Sequence, residues 1–368
     1  MQAGRHYFAA MCPLRLVARL FIFDEEEVQP EFRAQRTINR ARIPEIARYI
    51  VDNPRGYVFS SITVSIDGQV EFKPTAVTDS GASIGSLQVP MSARFLINDG
   101  QHRRAAIAEA LKERPELADE TISVVFFIDA GLKRSQQMFA DLNTHAVRAT
   151  RTLGILYDHR DPLAELARRL AQSVPVFKGL TELERTNISN RSRKLFTLSS
   201  IYQATKRLLG KGRGKVPSSL EEDLARDFWT ETAKHIPEWQ AAARREVSSF
   251  DLRREYVHAH GIALHALAVM GSDLIRAEPQ HWQERLKALE KLDWSRSNIE
   301  VWEGRAMIGG RVSKAHNNVL LTAALLKRVV GLPLSTDERR VEGVHGRAQD
   351  RRDSRRRTED GSNLRKAN

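Results

Sequence analysis

The hydrophobic periodicity of this chain changes near residue 150, and this change restricts the folds that the chain can adopt. Before that point, apolar residues with a period of two alternate with runs that repeat every three to four residues, a pattern typical of strands mixed with helices. After that point almost every apolar run has the helical period. We therefore predict an α+β fold, with an α/β domain at residues 1–150, a mostly α-helical domain at 151–335 and a disordered basic tail at 336–368.

Strands and helices alternate in the predicted N-terminal domain. Residues 14–23 alternate as a strand does, with Leu14, Leu16 and Leu20 on one face. The turn at Asp67-Gly68 predicts a hairpin between 57–66 and 70–72, followed by a loop at 73–89. Further strands are predicted at 94–97 and 122–128, and helices at 42–51, 101–113 and 133–142.

The predicted helical domain carries six apolar runs with the helical period, at 162–172, 197–209, 220–235, 252–270, 281–289 and 314–330. The fourth run contains His258, His260 and His265. At 3.6 residues per turn, His258 and His260 lie about 160° apart on a helix. We therefore predict no metal site here.

The net charge of +12 and a pI near 10.0 favour an anionic partner. Residues 1–150 are neutral, with 18 basic and 18 acidic residues, whereas 148–215 holds 15 basic residues and 5 acidic ones. This basic segment predicts contacts with duplex DNA, although solvated helix faces have the same composition. The predicted DNA-binding residues are Arg148, Arg151, Arg168, Arg169, Arg191, Arg193, Lys194, Lys206, Arg207, Lys211, Arg213 and Lys215.

The single cysteine, Cys12, excludes an internal disulfide framework and a four-cysteine zinc site. The most apolar early run, residues 14–23, is too short to span a bilayer and is interrupted by Arg15 and Arg19. No secretory cleavage signal follows it. We expect a cytoplasmic protein that does not associate with membranes.

Three consecutive basic residues, His102, Arg103 and Arg104, stand at the predicted start of the helix at 101–113. Each is unfavourable there by roughly 0.3–1 kcal/mol, because a helix N-terminus carries the positive end of the dipole. An N-cap at Asn98 or Asp99 and a close approach at Gly100 would suit an anion-binding turn. The alternative is that Arg103 pairs with Asp99 or Asp141 and only braces the fold.

A second polar group, Asp141 to His145, follows the helix predicted at 133–142. In the functional interpretation Asp141 orients Arg103 or a metal-bound nucleotide, and Asn143 and His145 face the same pocket. In the structural interpretation Asn143 is a C-cap and His145 a surface residue.

The residues Asp99-Gly100-Gln101-His102-Arg103 resemble the signature of the DGQHR-domain proteins, and the surrounding sequence is similar to their DndB branch. The likeness runs from about Met11 to about Leu334. Supporting stretches are 36–46, 57–63, 138–148 and 156–161.

This resemblance implies a DNA-binding transcriptional repressor of an operon for DNA phosphorothioate modification. We expect it to act on duplex DNA as a homodimer, because a dimer is the economical way to gain operator specificity. The resemblance also implies a core like that of ParB and sulfiredoxin, in which the start of a helix holds nucleotide phosphates. The phosphate at the turn is then either that of DNA or that of a nucleotide, such as ATP or another NTP with Mg. The residues implied at phosphate or nucleotide are Asp99, Gly100, Gln101, His102, Arg103, Asn143 and His145. The reactive cysteine of sulfiredoxin is replaced by Gln101, which argues against cysteine redox chemistry. The alternative function is an NTPase or DNA-nicking nuclease with His102, Arg103 and Asp141 as candidate catalytic residues.

Overall fold

A computed structural model of the chain describes residues 2, 6–21, 40–77, 83–128, 137–138, 141–142, 149–189, 191–212 and 214–346. The chain divides into two compact units, residues 1–147 and 148–368. The fold is mixed α+β, as the periodicity predicts: the first unit contains a small sheet, and most of the second is helical.

The strands of the first unit are β1 (Tyr7–Pro13), β2 (Ile62–Asp67), β3 (Glu71–Val77), β4 (Ser83–Gln88), β5 (Arg94–Asp99) and β6 (Thr121–Ile128). Four of them form a sheet of order β1-β6-β2-β5, in which β2 and β6 are parallel and the other two pairs are antiparallel. Strands β3 and β4 form a separate pair. The helices of this unit are α1 (Leu14–Leu20), α2 (Ile43–Asp52) and α3 (Gln101–Glu113), with 3-10 turns at Arg40–Arg42 and Pro115–Asp119. The core joins apolar side chains of the three helices to β2, β5 and β6, including Val17, Ile50, Val64, Ile107 and Val124.

The segment predicted as a strand at 14–23 is a helix at Leu14–Leu20, and the strand lies just before it. The buried side chains are Leu14, Val17 and Phe21, which have helical spacing, whereas Leu16 and Leu20 are exposed. A run of almost continuous apolar residues fits both periods, and packing against α3 selects the helical one.

The predicted hairpin through Asp67-Gly68 is also wrong. Strand β2 pairs with β5 and β6, and β3 pairs instead with β4, which lies in the segment predicted as a loop. The long-range pairing of β2 buries Ile62, Val64 and Ile66 completely, so its partners are decided by the core and not by the nearest turn.

The second unit begins with α4 (Arg151–Tyr157) and α5 (Pro162–Ser173), and its short strands are β7 (Thr181–Glu182), β8 (Phe196–Thr197), β9 (Met307–Ile308) and β10 (Arg311–Val312). Its other helices are α6 (Leu198–Leu208), α7 (Ser219–Lys234), α8 (Pro237–Ala243), α9 (Ser249–Glu255), α10 (Gly261–Ala277), α11 (Trp282–Leu286), α12 (Ile299–Trp302) and α13 (His316–Val329). Helix α10 packs against α6 and α13, and the core includes the fully buried Trp229, Trp239 and Trp302.

The single helix predicted at 252–270 is interrupted. Helix α9 ends at Glu255, a 3-10 turn follows at Val257–Ala259, and His260 is the extended N-cap of α10. His258 therefore lies in the 3-10 turn, His260 at the N-cap of α10 and His265 within α10. His258 is fully buried and stacks on the ring of Tyr256, with ring centroids 5.0 Å apart.

The boundary predicted for a disordered tail at 336 differs from the structure, because residues 336–346 form a helix. Glu338 of this helix is buried and accepts hydrogen bonds from the buried Lys327 ammonium at 2.6 and 2.7 Å. Glu342 pairs with Arg305 and Arg328. The sequence predicted a tail because charged pairs hold this segment, and Val341 is its one buried apolar side chain among the described residues. The remainder of the predicted tail, 347–368, lies outside the described residues.

No helix among the described residues is long and apolar enough to cross a membrane.

Candidate functional site

The DGQHR turn connects β5 to α3 in the first unit. Strand β5 ends at Asp99 and α3 begins at Gln101, so the intervening Gly100 is the N-cap, with φ of 108°. A Cβ at Gly100 would lie 3.0 Å from the Ile62 side chain, and L side chains rarely adopt this φ. Neither Asn98 nor Asp99 caps α3 as expected, since the cap makes no side-chain hydrogen bond.

The Arg103 side chain turns inward and bonds to the protein itself. Its Nη2 donates to Asp99 Oδ2 at 2.6 Å, and its Nη1 donates to the Ser60 hydroxyl. The side chain is 16% exposed, and its buried Nε has no hydrogen-bond partner among the residues that the structure describes. The internal pairing with Asp99 that the sequence offered as an alternative is therefore present.

The neighbours of Arg103 at the start of α3 also face the protein. Gln101 is buried, with its Nε2 3.4 Å from the Ile97 carbonyl oxygen. Arg104 donates to the Ala18 carbonyl at 2.8 Å, and burial lowers the pKa of its guanidinium. His102 is half-buried. The basic residues at this helix start are thus offset largely by internal acceptors, which answers the electrostatic question that the sequence raises.

Asp141 does not contact Arg103 in the structure. It is exposed and accepts a hydrogen bond from Gln137 Nε2 at 2.7 Å. Asn143 and His145, the other residues predicted at this pocket, lie outside the described residues.

Four of the predicted DNA-binding residues have partners within the second unit. Arg168 donates to the Ile155, Leu156 and Asp158 carbonyls at 2.8 to 3.1 Å and pairs with Glu165 at 2.5 Å, and is only 11% exposed. It thus satisfies the C-terminal carbonyls of α4 and is not available to DNA. Two others form ion pairs: Arg169 with Glu165 and Glu222, and Lys211 with Glu221. The fourth, Lys194, donates a hydrogen bond to the Gly179 carbonyl.

The remaining predicted DNA-binding residues that the structure describes have no carboxylate partner within that part of the chain. The exposed ones are Arg151, Arg191, Arg193 and Lys215. The half-buried ones are Lys206 and Arg207. Arg148 and Arg213 lie outside the described residues.

Three further basic residues of the second unit, Arg253, Arg296 and Lys314, were not selected from the sequence. Burial lowers the pKa of His260 to about 4, and the charges of Arg296, Lys314 and Arg253 add to the effect. Burial also lowers the pKa of His265 to about 4, with Arg207, Lys314 and Arg151 adding to the effect. The cations that affect these two histidines lie around the first turns of α10. No sequence pattern indicates this cluster, because its members come from separate elements.

A family model described as DndB, DNA-sulfur modification-associated, matches residues 1–333 of the chain. No curated protein and no solved structure matches it.

Proposed function

The chain belongs to the DndB family of proteins associated with DNA sulfur modification, and from this premise we propose that it is a cytoplasmic, DNA-binding repressor of the operon that encodes the modification machinery. Its partner is duplex DNA at the promoter of that operon. A homodimer, binding two half-sites, supplies the specificity that one copy lacks.

The observation that carries the proposal is a basic connector, residues 185–189 and 191–194, whose described backbone is held by hydrogen bonds. Arg253 donates to the backbone carbonyls of Ser189, Ser192 and Lys194, and Ser249 donates to the carbonyl of Arg193 at 2.9 Å. The connector holds Arg191 and Arg193 exposed, without a carboxylate partner among the described residues. Because the backbone is already fixed, little ordering entropy is lost when these arginines contact phosphates.

Within this proposal the first unit is a ParB-like core, and a DNA phosphate is the ligand of the DGQHR turn. The phosphate competes with Asp99 for the Arg103 guanidinium, which lies 2.6 Å from that carboxylate. The enzyme alternative has no specific observation in its favour, since Arg103 is bonded to Asp99 and Ser60, and Asp141 to Gln137.

The test is a salt titration of DNA affinity on the upstream region of the modification operon and on random duplex of equal length. We expect the operator to be preferred at every salt concentration. Replacement of Arg191 and Arg193 by alanine should lower the slope of log affinity against log salt by about 1.8, since each lost phosphate contact removes about 0.9.

The matched control removes two other exposed arginines of the same unit, Arg244 and Arg276, which pair with Glu246 and Asp273. This variant has the same net charge as the connector variant. Equal affinity for the two duplexes would refute the repressor function, and equal slopes for the two variants would refute the role of the connector.

A further inference from the structure

A cavity of about 500 Å³ opens in the second unit, where the connector, the start of α6 and the start of α10 face one another. This volume lies in the range of small-molecule sites. Among the described residues, four cationic side chains line the cavity, those of Arg253, Arg254, Arg296 and Lys314, and no aspartate or glutamate does.

The positive charge of this cavity is only partly neutralised. Arg254 pairs with Asp251 and Glu255. Arg296, in contrast, donates to the carbonyls of Arg253, Arg254 and Gly310, which fix the guanidinium without cancelling its charge. Lys314 has no ion pair or hydrogen bond within the described part of the chain.

Lys314 approaches the start of α10, where a cation is unfavourable. A Cβ on Gly261, the first residue of this helix, would lie 2.8 Å from Lys314 Nζ and 2.5 Å from Ser200 Oγ. The N-cap of this helix makes no side-chain hydrogen bond, so the first backbone N–H groups are left without a side-chain acceptor. An ammonium and a hydroxyl, which shares a hydrogen bond with the Thr197 hydroxyl, therefore approach the start of a helix, where an anion is favoured.

The titration of nearby groups agrees with this geometry. Solvent still reaches Lys314, yet the surrounding protein desolvates its ammonium and lowers its pKa. Burial, together with Arg296, Lys314 and Arg253, lowers the pKa of His260 on the cavity wall to about 4. The site thus keeps an excess of positive potential that a bound anion would relieve.

We propose that this cavity binds the phosphate group of a ligand, held by Lys314, Ser200 and the first turn of α10, with Arg253 and Arg296 beside it. The exposed ring of Phe250 and the side chain of Ile188 give the remainder of the ligand an apolar surface. A free nucleotide and a DNA backbone phosphate offer the same chemistry. The site goes beyond the proposed function, because it does not depend on any operator sequence.

The experiment is calorimetric titration of the full chain, at constant ionic strength, with pyrophosphate, ATP, adenosine and a short duplex. We expect pyrophosphate and ATP to bind saturably and adenosine not to bind. The Lys314→Met variant, which removes the ammonium but keeps a long side chain, should weaken binding about tenfold, as expected for the loss of one charge-assisted hydrogen bond.

The control is Lys287→Met, because Lys287 is an exposed lysine of the same unit outside the cavity. It should bind pyrophosphate as the parent does. If only the duplex loses affinity in Lys314→Met, the phosphate comes from DNA and the site stands. If Lys314→Met binds pyrophosphate, ATP and duplex as tightly as the parent, or if the parent binds none of them, the proposal is overturned.

Discussion

At the scale of single residues, the sequence located the unusual side chains but not their partners. The basic start of α3 was correctly singled out, yet the acceptors of Arg103 are Asp99, four residues earlier, and Ser60, 43 residues earlier. The i, i+4 partner follows from helical geometry, and it was one of the two alternatives that the sequence left open. Ser60 does not follow from any local pattern, because only the sheet brings it to the turn.

Replacing Asp99 with asparagine tests whether the turn binds phosphate. The amide still accepts a hydrogen bond from Arg103, but the competing negative charge is lost. We expect operator affinity to rise severalfold and the salt slope to steepen by about 0.9, since one more phosphate is contacted. Unchanged affinity together with lower thermal stability would instead assign Asp99 and Arg103 to a structural brace.

The stability of the protein should fall in mildly acidic solution. Burial lowers the pKa of His260 and His265 from 6.5 to about 4 in the folded state. Between these values the unfolded chain binds protons that the folded chain does not, so the free energy of unfolding decreases as the pH falls from about 6.5 to about 4. Urea unfolding at several pH values measures this slope, and His265→Gln should reduce it. An identical slope in that variant would contradict the assignment.

At the scale of elements, helices with clear caps were predicted within one or two residues, whereas strand pairing was not. Helix α5 begins after Asp161, whose side chain accepts from the Leu163 N–H, and α7 begins with a capping box at Ser218 and Glu221. These are local signals. The residues that pair with β2 are 27 to 62 positions further along the chain, and the pairing depends on which faces the core buries.

Two adjacent arginines on α5 separate a structural role from a surface role. Arg168→Ala removes the bonds to three carbonyls at the end of α4 and should cost about 1.5–3 kcal/mol in the free energy of unfolding. Arg169→Ala breaks only exposed ion pairs and should cost less than about 1 kcal/mol. Denaturant unfolding of both variants provides the comparison. Equal losses would show that Arg168 does not stabilise the end of α4.

At the scale of the whole molecule, the charge of the chain is divided between internal pairs and exposed cations, and composition cannot tell them apart. In the segment 148–215 some arginines satisfy carbonyls or acids, as Arg168 does, and others, such as Arg191, have no carboxylate partner among the described residues. Beyond residue 335 composition is equally uninformative, because Glu338 and Glu342 attach a charged helix to buried cations. The folded part therefore extends further than its apolar content indicates.

Truncation of the chain at two points tests where its folded part ends. A chain ending at residue 335 leaves Lys327, which is 1% exposed, with Asp273 but without Glu338, and leaves Arg305 without Glu342. We expect a loss of about 3–5 kcal/mol in the free energy of unfolding, because two buried ion pairs are broken together and Arg305 loses its carboxylate partner. A chain ending at 346 keeps both pairs and should unfold like the full chain, as thermal unfolding can show. Equal stability of the two truncated chains would refute the role of this helix.

The sequence by itself determined the α+β class, most helices of the second unit and the DndB family, because periodicity, caps and a short motif are read from neighbouring residues. The tertiary structure decided that residues 14–20 are helical, that β2 lies between β5 and β6, that Arg103 is paired with Asp99, and that Arg253, Arg296 and Lys314 meet at one cavity. Each of these outcomes depends on the contacts that bury or neutralise a side chain. Contacts between residues far apart in the chain are set only when the core forms.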